Sequence, residues 1–397
     1  MYPPSSQYSL LPTDPEEAES PIDVIPQPKR QPWVNSLRTR RFAFLTAGSL
    51  ALLLVAGLYW SYVFRHSVVF PSPDSTFAFS QDSRPSWVNT PPSEPLVLRI
   101  AVMTRVDGFE RRNAIREAVF RGVRKEDVSI EYRFFVGAPP DNVKGKEVRK
   151  LIEEENEKFN DVHLVEEIRD IPERLSEKRY AALKWAGSVS NASYDYFLTM
   201  DSDTFVRFVP LARRLPELYE GKKVNPREEP VLIGRMSMHL TYFITRVPDG
   251  NEDPGEEDEV IKGPWFQYPA GIGYMLSSAL VKIFLSTDPP LPHHIHYPSD
   301  DVMIGAWIAA LRVFHDETIE WQFGSDHPPE VLRPKPFLPN PVETLIIDDV
   351  HGWHDFPGRG DHDAPISWDS VCTHHVTVDE MKEIRRRLEF LGEWKVE

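Results

Sequence analysis

Tyr194-Asp195-Tyr196-Phe197-Leu198-Thr199-Met200-Asp201-Ser202-Asp203-Thr204-Phe205-Val206 decides how the rest of the chain is read. A mostly apolar, aromatic-rich run of this kind reads as a buried strand. It stops abruptly at two carboxylates one residue apart. Ligands of open α/β sheets collect at the carboxyl ends of strands, and Asp201 and Asp203 fall there. Two carboxylates beside Ser202 and Thr204 suit a hard divalent cation carrying phosphate oxygens, because such cations prefer oxygen ligands. Asp and Ser are also ordinary turn residues. Asp-x-Asp alone therefore favours a solvated turn, and the strand running into it brings the two readings level.

Working outward, strand and helix patterns alternate upstream. Leu96–Val106, Ile130–Gly137 and Asp161–Val165 read as strands, with helices at Glu110–Gly122, Lys146–Asn160 and Arg174–Val189. This alternation predicts an α/β fold with a mostly parallel central sheet built from βαβ units. No Gly-x-Gly-x-x-Gly follows the first strand, which counts against a dinucleotide fold. Downstream, Leu211–Tyr219 and Ser277–Leu285 read as helices, and Val231–Ser237 and Thr344–Val350 as strands. Asp249–Glu259 is too charged and too broken by Gly and Pro to fold by itself and reads as a solvated loop, since a calcium site needs a more regular ligand spacing. In Tyr268-Pro269-Ala270-Gly271-Ile272-Gly273-Tyr274, the glycines suit either close backbone approach to a ligand or a bulge before the next helix.

A second carboxylate pair follows at Ser299-Asp300-Asp301-Val302. Ser as N-cap and acids in the first turn make a good start for a helix Asp300–Leu311. A carboxylate pair is also what acid–base chemistry beside a metal needs. Towards the end come His351, His354 and the pair His374-His375, then a helix Val378–Leu391 with Met381, Ile384, Leu388 and Leu391 at helical spacing. Spacing alone leaves those histidines open between structural and metal-binding roles.

The 397 residues carry a formal charge of −16, which argues against a nucleic-acid binder, since that needs a basic face. The single cysteine, Cys372, excludes an intrachain disulfide. Residues 42–64 hold no charge between Arg41 and Arg65 and are long enough to span a bilayer. Lys29, Arg30, Arg38, Arg40 and Arg41 precede them, so the positive-inside rule puts the N-terminus in the cytoplasm. The organisation expected is a disordered tail at 1–41, a signal-anchor helix at 42–64, a Pro-rich stem at 65–95 and a lumenal body at 96–397. Asn191-Ala192-Ser193 is the body's acceptor sequence for an N-linked glycan.

With these motifs in order, the body resembles the β-1,3-galactosyltransferase family (glycosyltransferase family 31). Arg111-Arg112-Asn-Ala-Ile115-Arg116 is similar to that family's Arg-Arg-x-x-Ile-Arg, and Glu131–Gly137 to its Phe-x-x-Gly strand. Leu183-Lys184, Asp201-Ser-Asp203, Tyr268 through Tyr274, Asp300-Asp301-Val302 with Gly305, and His374 before Met381 resemble its later motifs. Ala118-Val119 departs from the family's Thr-Trp, and the paired cysteines of its animal members are absent, as in a fungal or divergent branch.

The resemblance implies a single GT-A-type nucleotide-sugar transferase domain and an inverting, β-1,3-forming transfer of hexose from a UDP-sugar. The donor implied is UDP-galactose, with UDP-N-acetylglucosamine as the alternative, and the acceptor is a glycan on a glycoprotein or glycolipid. It implies Mn²⁺ on Asp203 and His374, and Asp301 as the base, with His351, His354 and His375 in reserve. Arg112, Arg116, Lys184, Asp201, Gly271, Gly273 and Asp300 would bind the nucleotide-sugar. The location implied is the Golgi membrane, single-pass. Two rivals share the central motif: a haloacid-dehalogenase-type phosphatase with Asp201 as nucleophile, and an inactive lumenal lectin or scaffold.

Overall fold

The computed structural model describes residues 76–80, 84–244, 259–287, 291, 299–312, 319–323, 330–332 and 341–395. The expected tail, the apolar segment 42–64 and residues 249–258 lie outside them. Among the described residues no helix is long and apolar enough to cross a membrane. Part of the expected stem packs on the body, and Pro71–Glu397 forms one compact unit. Strand β1 (Phe77–Ala78) pairs in parallel with Ile366–Ser367, and Trp87 is buried. The Phe79 ring lies edge-on to Trp368 and Phe390. Aromatic area outweighs the extending influence of the prolines there.

The central run is β2 (Leu96–Met103), whose apolar residues fill both faces of a sheet. Leu98, Ile100 and Val102 enter one core, and Ala101 and Met103 the other, as period-two alternation requires. Burying such side chains contributes about 1.5–3 kcal/mol each. β3 (Val128–Ala138), β4 (Val162–Arg169) and β5 (Tyr196–Asp201) join β2 in the order β5-β2-β3-β4, all parallel. Met103 pairs with both Phe135 and Asp201, so β2 and β5 end level at one edge while β3 runs on to Ala138.

Beyond β5 the sheet turns mainly antiparallel, which corrects the expectation of a mostly parallel sheet. A short strand, β6 (Phe205–Val206), follows the Asp-Ser-Asp turn. β7 (Val231–Ile244) and β8 (Glu259–Ser277) form a long antiparallel pair, and β8 lies antiparallel to β5. β9 (Ile319–Phe323) and β10 (Glu330–Leu332) continue antiparallel, while β11 (Leu345–Asp348) pairs in parallel with β7.

Helices cover both faces. α1 (Phe109–Ile115) runs into a π-turn at Arg116–Phe120, where the sequence predicts one helix over Glu110–Gly122. α2 (Val143–Phe159) starts on Asn142, whose side chain accepts from the Gly145 amide. α3 (Leu175–Ala186) and α4 (Phe208–Leu218) follow, then α5 (Ser278–Leu285). α6 (Asp300–Leu311) has the predicted bounds, with Ser299 Oγ accepting from the Val302 amide. All its residues are buried. A Cβ on Gly305 would stand 2.4–2.8 Å from Tyr268, so glycine lets α6 lie close on β8.

Three short strands close the fold. β12 (Trp353–Asp355) pairs in parallel with β14 (Cys372–His374), which pairs antiparallel with β6; β13 (Ile366–Ser367) is the partner of β1. Asp355 and His374 are register partners, and the Val376 amide donates to the Asp203 carbonyl at 2.8 Å. α7 (Val378–Arg386) begins in a Thr377/Glu380 capping box and gives way to a 3-10 turn at Leu388–Glu393, short of the helix predicted to Leu391.

Candidate active site

The level ends of β2 and β5 open onto a cavity of about 580 Å³. Asp201, Ser202 and Asp203 form one wall, and Thr104, Asp107, Arg111 and Lys178 others. Asp201 ends its strand with its side chain 33 % exposed, and Asp203 follows in the turn at 30 %. Arg111 Nη1 donates to the Val376 carbonyl at 3.1 Å, and among the described residues it has no carboxylate partner. Its charge reaches Asp203 and helps keep that carboxylate ionised.

Asp203 meets the C-terminal histidines across β6 and β14. His374 Nε2 lies 3.4 Å from Asp203 Oδ1 and its Nδ1 3.1 Å from Asp355 Oδ1. His375, in the left-handed region at φ 59°, brings Nδ1 to 3.7 Å from Asp203 Oδ2 and stacks on His374. One ligand atom each from Asp203, His374 and His375 falls within a 4.8 Å span. One carboxylate and two imidazoles suit a borderline first-row divalent cation. Burial would lower the His374 pKa, but bonds to Asp203 and Asp355 overcome it and raise it to about 10. Burial would raise the carboxyls of Asp203 and Asp355, yet His374 beside both holds them below the usual range.

Asp300 and Asp301 open α6 on the other side of Asp201. Between them sits Arg179 of α3, almost wholly buried. Its Nε donates to Asp300 Oδ2, its Nη1 to Thr199 Oγ1 at 2.7 Å, and its Nη2 to Asp201 Oδ1 at 3.3 Å. Nη2 is 3.8 Å from Asp301 Oδ1. That oxygen is buried without a hydrogen-bond partner. Oδ2 of Asp301 would stand 3.2 Å from a Cβ on Gly271, so the glycine keeps space beside the carboxylate. The sequence predicts an Asp301 held ionised by the helix start. Instead, burial first and then the charge of Asp300 push its carboxyl well above the usual range.

The structure therefore brings together Asp201, Asp203, Asp300, Asp301, His374, His375 and Gly271. Other expected residues fall elsewhere. Arg112 is fully buried and bonded to Glu155, while Arg116 is bonded to Glu155 and Asp161. Their guanidiniums tie α1 and the π-turn after it to α2 and Asp161, and neither residue lines the cavity. Lys184 is exposed, its Nζ 5.3 Å from the Tyr180 ring, and the lysine of α3 lining the cavity is Lys178. Gly273 is buried at φ 114°, a backbone requirement beside Thr199 and Cys372. His354 is buried between the Asp355 carbonyl and Ser370 Oγ, and His351 is exposed in a turn. Asn191 sits in a 3-10 turn, its Nδ2 donating to the Arg227 carbonyl at 2.9 Å.

Sequence reading missed Arg111, Lys178, Arg179 and Asp355. A signal existed for two of them. Lys178 and Arg179 lie four residues before Ala182 and Leu183, on the buried face of α3. Charges on the apolar side of a helix need partners, which marks them for notice.

The sequence pattern of the galactosyltransferase family matches residues 110–318, just over half of the chain. A hydroxyproline O-galactosyltransferase of Arabidopsis thaliana is 26 % identical over 245 residues, 60 % of this chain and 31 % of that protein. Beta-1,3-galactosyltransferase 4 of Canis lupus familiaris is 29 % identical, over 54 % of this chain and 61 % of that protein. Beta-1,3-galactosyltransferase 6 of Mus musculus is 28 % identical, over 59 % and 67 %. The chain thus spans less than two thirds of the length of the first two. Among solved structures, a glycosyltransferase involved in glycosylation of the major capsid of PBCV-1 aligns with 74 % of this chain and 100 % of that one. Its identity is 12 % and its TM-score 0.31, too slight a likeness to carry an argument.

Proposed function

This chain belongs to the galactosyltransferase family, and from that premise we propose that it is an inverting, metal-dependent hexosyltransferase. It moves galactose from UDP-galactose to a hydroxyl of a glycan acceptor, in β-1,3 linkage, on a GT-A-type fold. One observation carries the reading: three groups spaced to take a cation, a cavity of nucleotide size and a carboxylate beside open space converge at one sheet edge.

Arg111 presents positive charge to the diphosphate, with Lys178 on the same wall already paired with Asp170 at 2.8 Å, and Asp201 accepts from a ribose or sugar hydroxyl. Asp203 and His374, with His375 beside them, would hold Mn²⁺ or a similar ion, which when bound would supply a Lewis acid for the diphosphate leaving group. Asp301 takes the proton of the acceptor hydroxyl as its oxygen attacks the anomeric carbon from the face opposite UDP. The C–O bond to UDP breaks as the bond to the acceptor forms, so the anomeric centre inverts. A base strengthened by burial accepts the proton more readily.

The test is UDP release by the purified full chain against a panel of UDP-sugars, with and without Mn²⁺. We expect UDP-galactose to lead and chelator to abolish release. A preference for UDP-N-acetylglucosamine would move the donor within the family. Release indifferent to sugar and metal would overturn the reading. The same reading makes residues 42–64 a single-pass anchor with the body in the Golgi lumen and a glycan on Asn191. Digestion of the C-terminus by protease in intact microsomes would reverse that orientation.

A further inference from the structure

The fork of Arg179 reaches carboxylates on two elements, Asp201 at the end of β5 and Asp300 and Asp301 at the start of α6. A purely structural ion pair would need only one of them. Nε and Asp300 already form such a pair. Nη2 extends past it towards Asp201 and towards Oδ1 of Asp301, which is buried without a hydrogen-bond partner. We propose that Arg179 is a positioning residue for transfer, a single guanidinium that hydrogen-bonds Asp201 on the donor side and Asp300 at the head of α6 and sets its charge 3.8 Å from Asp301 on the acceptor side. The proposal rests on Asp301 being the base.

A planar fork holds its donors in fixed directions, so Asp201 and Asp300 keep one mutual geometry, and Asp301, next to Asp300 on α6, is placed with them. Its charge also opposes what surrounds Asp301. The groups facing that carboxylate are Asp300 on its own helix, Arg179 on α3, Asp201 on β5, His374 on β14, and Tyr268 and Tyr274 on β8. Arg179 and His374 are the cations among them. Arg179 is within 4 Å of Asp301, and the two act on it in the same direction.

The experiment compares Arg179→Lys, Arg179→Gln and Asp301→Asn in the full chain, by circular dichroism, UDP binding with Mn²⁺, and transfer rate against pH. In Arg179→Gln we expect kcat to fall at least about tenfold with the donor KM within about threefold of wild type. The acid limb of its rate profile should move to higher pH. Arg179→Lys should restore that limb without restoring kcat, because it keeps the charge and loses the fork. Wild-type kcat and pH profile in folded Arg179→Gln would overturn the proposal. If Arg179→Gln does not fold, wild-type kcat in Arg179→Lys overturns it. Failure of both to fold also overturns it, leaving Arg179 a structural ion only. Asp301→Asn separates the two readings: near-normal transfer there removes the base itself, whereas an inert Asp301→Asn beside a normal Arg179→Gln removes only the clamp.

Discussion

The Nε2 of His374 lies 3.4 Å from the Oδ1 of Asp203. Two backbone features bring them there. β14 pairs antiparallel with β6, and the amide of Val376 donates to the carbonyl of Asp203. The candidate metal site is thus held by main-chain hydrogen bonds on both sides, and side-chain changes should leave its frame intact.

Asp203→Ala and His374→Ala should each weaken Mn²⁺-dependent UDP binding by about tenfold or more, as loss of a direct ligand does. Titration calorimetry with the full chain measures this. His375→Ala should have a smaller effect, since its ring is 45 % exposed and lies farther from Asp203. Loss of binding in His375→Ala alone would exchange the roles of the two histidines.

Asp301→Asn keeps size and helix position while removing basicity. Transfer should fall by about two orders of magnitude or more, within the usual range for a general base, with UDP affinity near wild type. Because burial raises the Asp301 carboxyl, the wild-type rate should climb as pH rises through its pKa and the carboxyl ionises. Asp300→Asn should be milder in rate and should loosen Arg179. A near-normal rate in Asp301→Asn would end its assignment as the base.

Metal-free stability should depend on pH through His374. Its pKa is raised from the ordinary 6.5 to about 10 by Asp203 and Asp355, against burial. A raised pKa means the folded state binds the proton more tightly. Its stabilisation is complete below pH 6.5 and is lost as pH climbs towards 10. Thermal unfolding in chelator should therefore fall across that window. The drop should shrink in His374→Gln, and an unchanged drop would assign it to another group.

Arg112→Met should destabilise the fold by about 3–5 kcal/mol, because it strands part of a buried charge network. Glu155 accepts from both Arg112 and Arg116 and would keep only one partner. Urea unfolding measures the loss. A variant with normal stability and lost UDP binding would return Arg112 to the nucleotide site.

Gly271→Ala should slow transfer more than it weakens UDP binding. Its new Cβ would stand 3.2 Å from Asp301 Oδ2 and narrow the space beside the carboxylate. Steady-state kinetics with acceptor varied should show the change in acceptor KM or kcat, and equal loss of UDP binding would place the glycine on the donor side.

The sequence by itself determined the local elements and one half of the sheet. Apolar runs ending in charge located β2, β3, β4 and β5, because burial of such runs depends little on what lies far along the chain. Ser299 and the acids after it marked α6 to the residue, because a cap is a local hydrogen bond. The sequence also placed Asp201 and Asp203 at a strand end. What it left open was decided by contacts distant along the chain. Arg112 and Arg116 looked like cavity residues until α2 supplied Glu155 and the turn after it Asp161. Arg179 became a site residue only when α6 brought Asp300 and Asp301 to it. His374 was one of several histidines until β14 set it against Asp203. A charged side chain has no fixed role in sequence, because its role belongs to the opposite charge that folding places beside it.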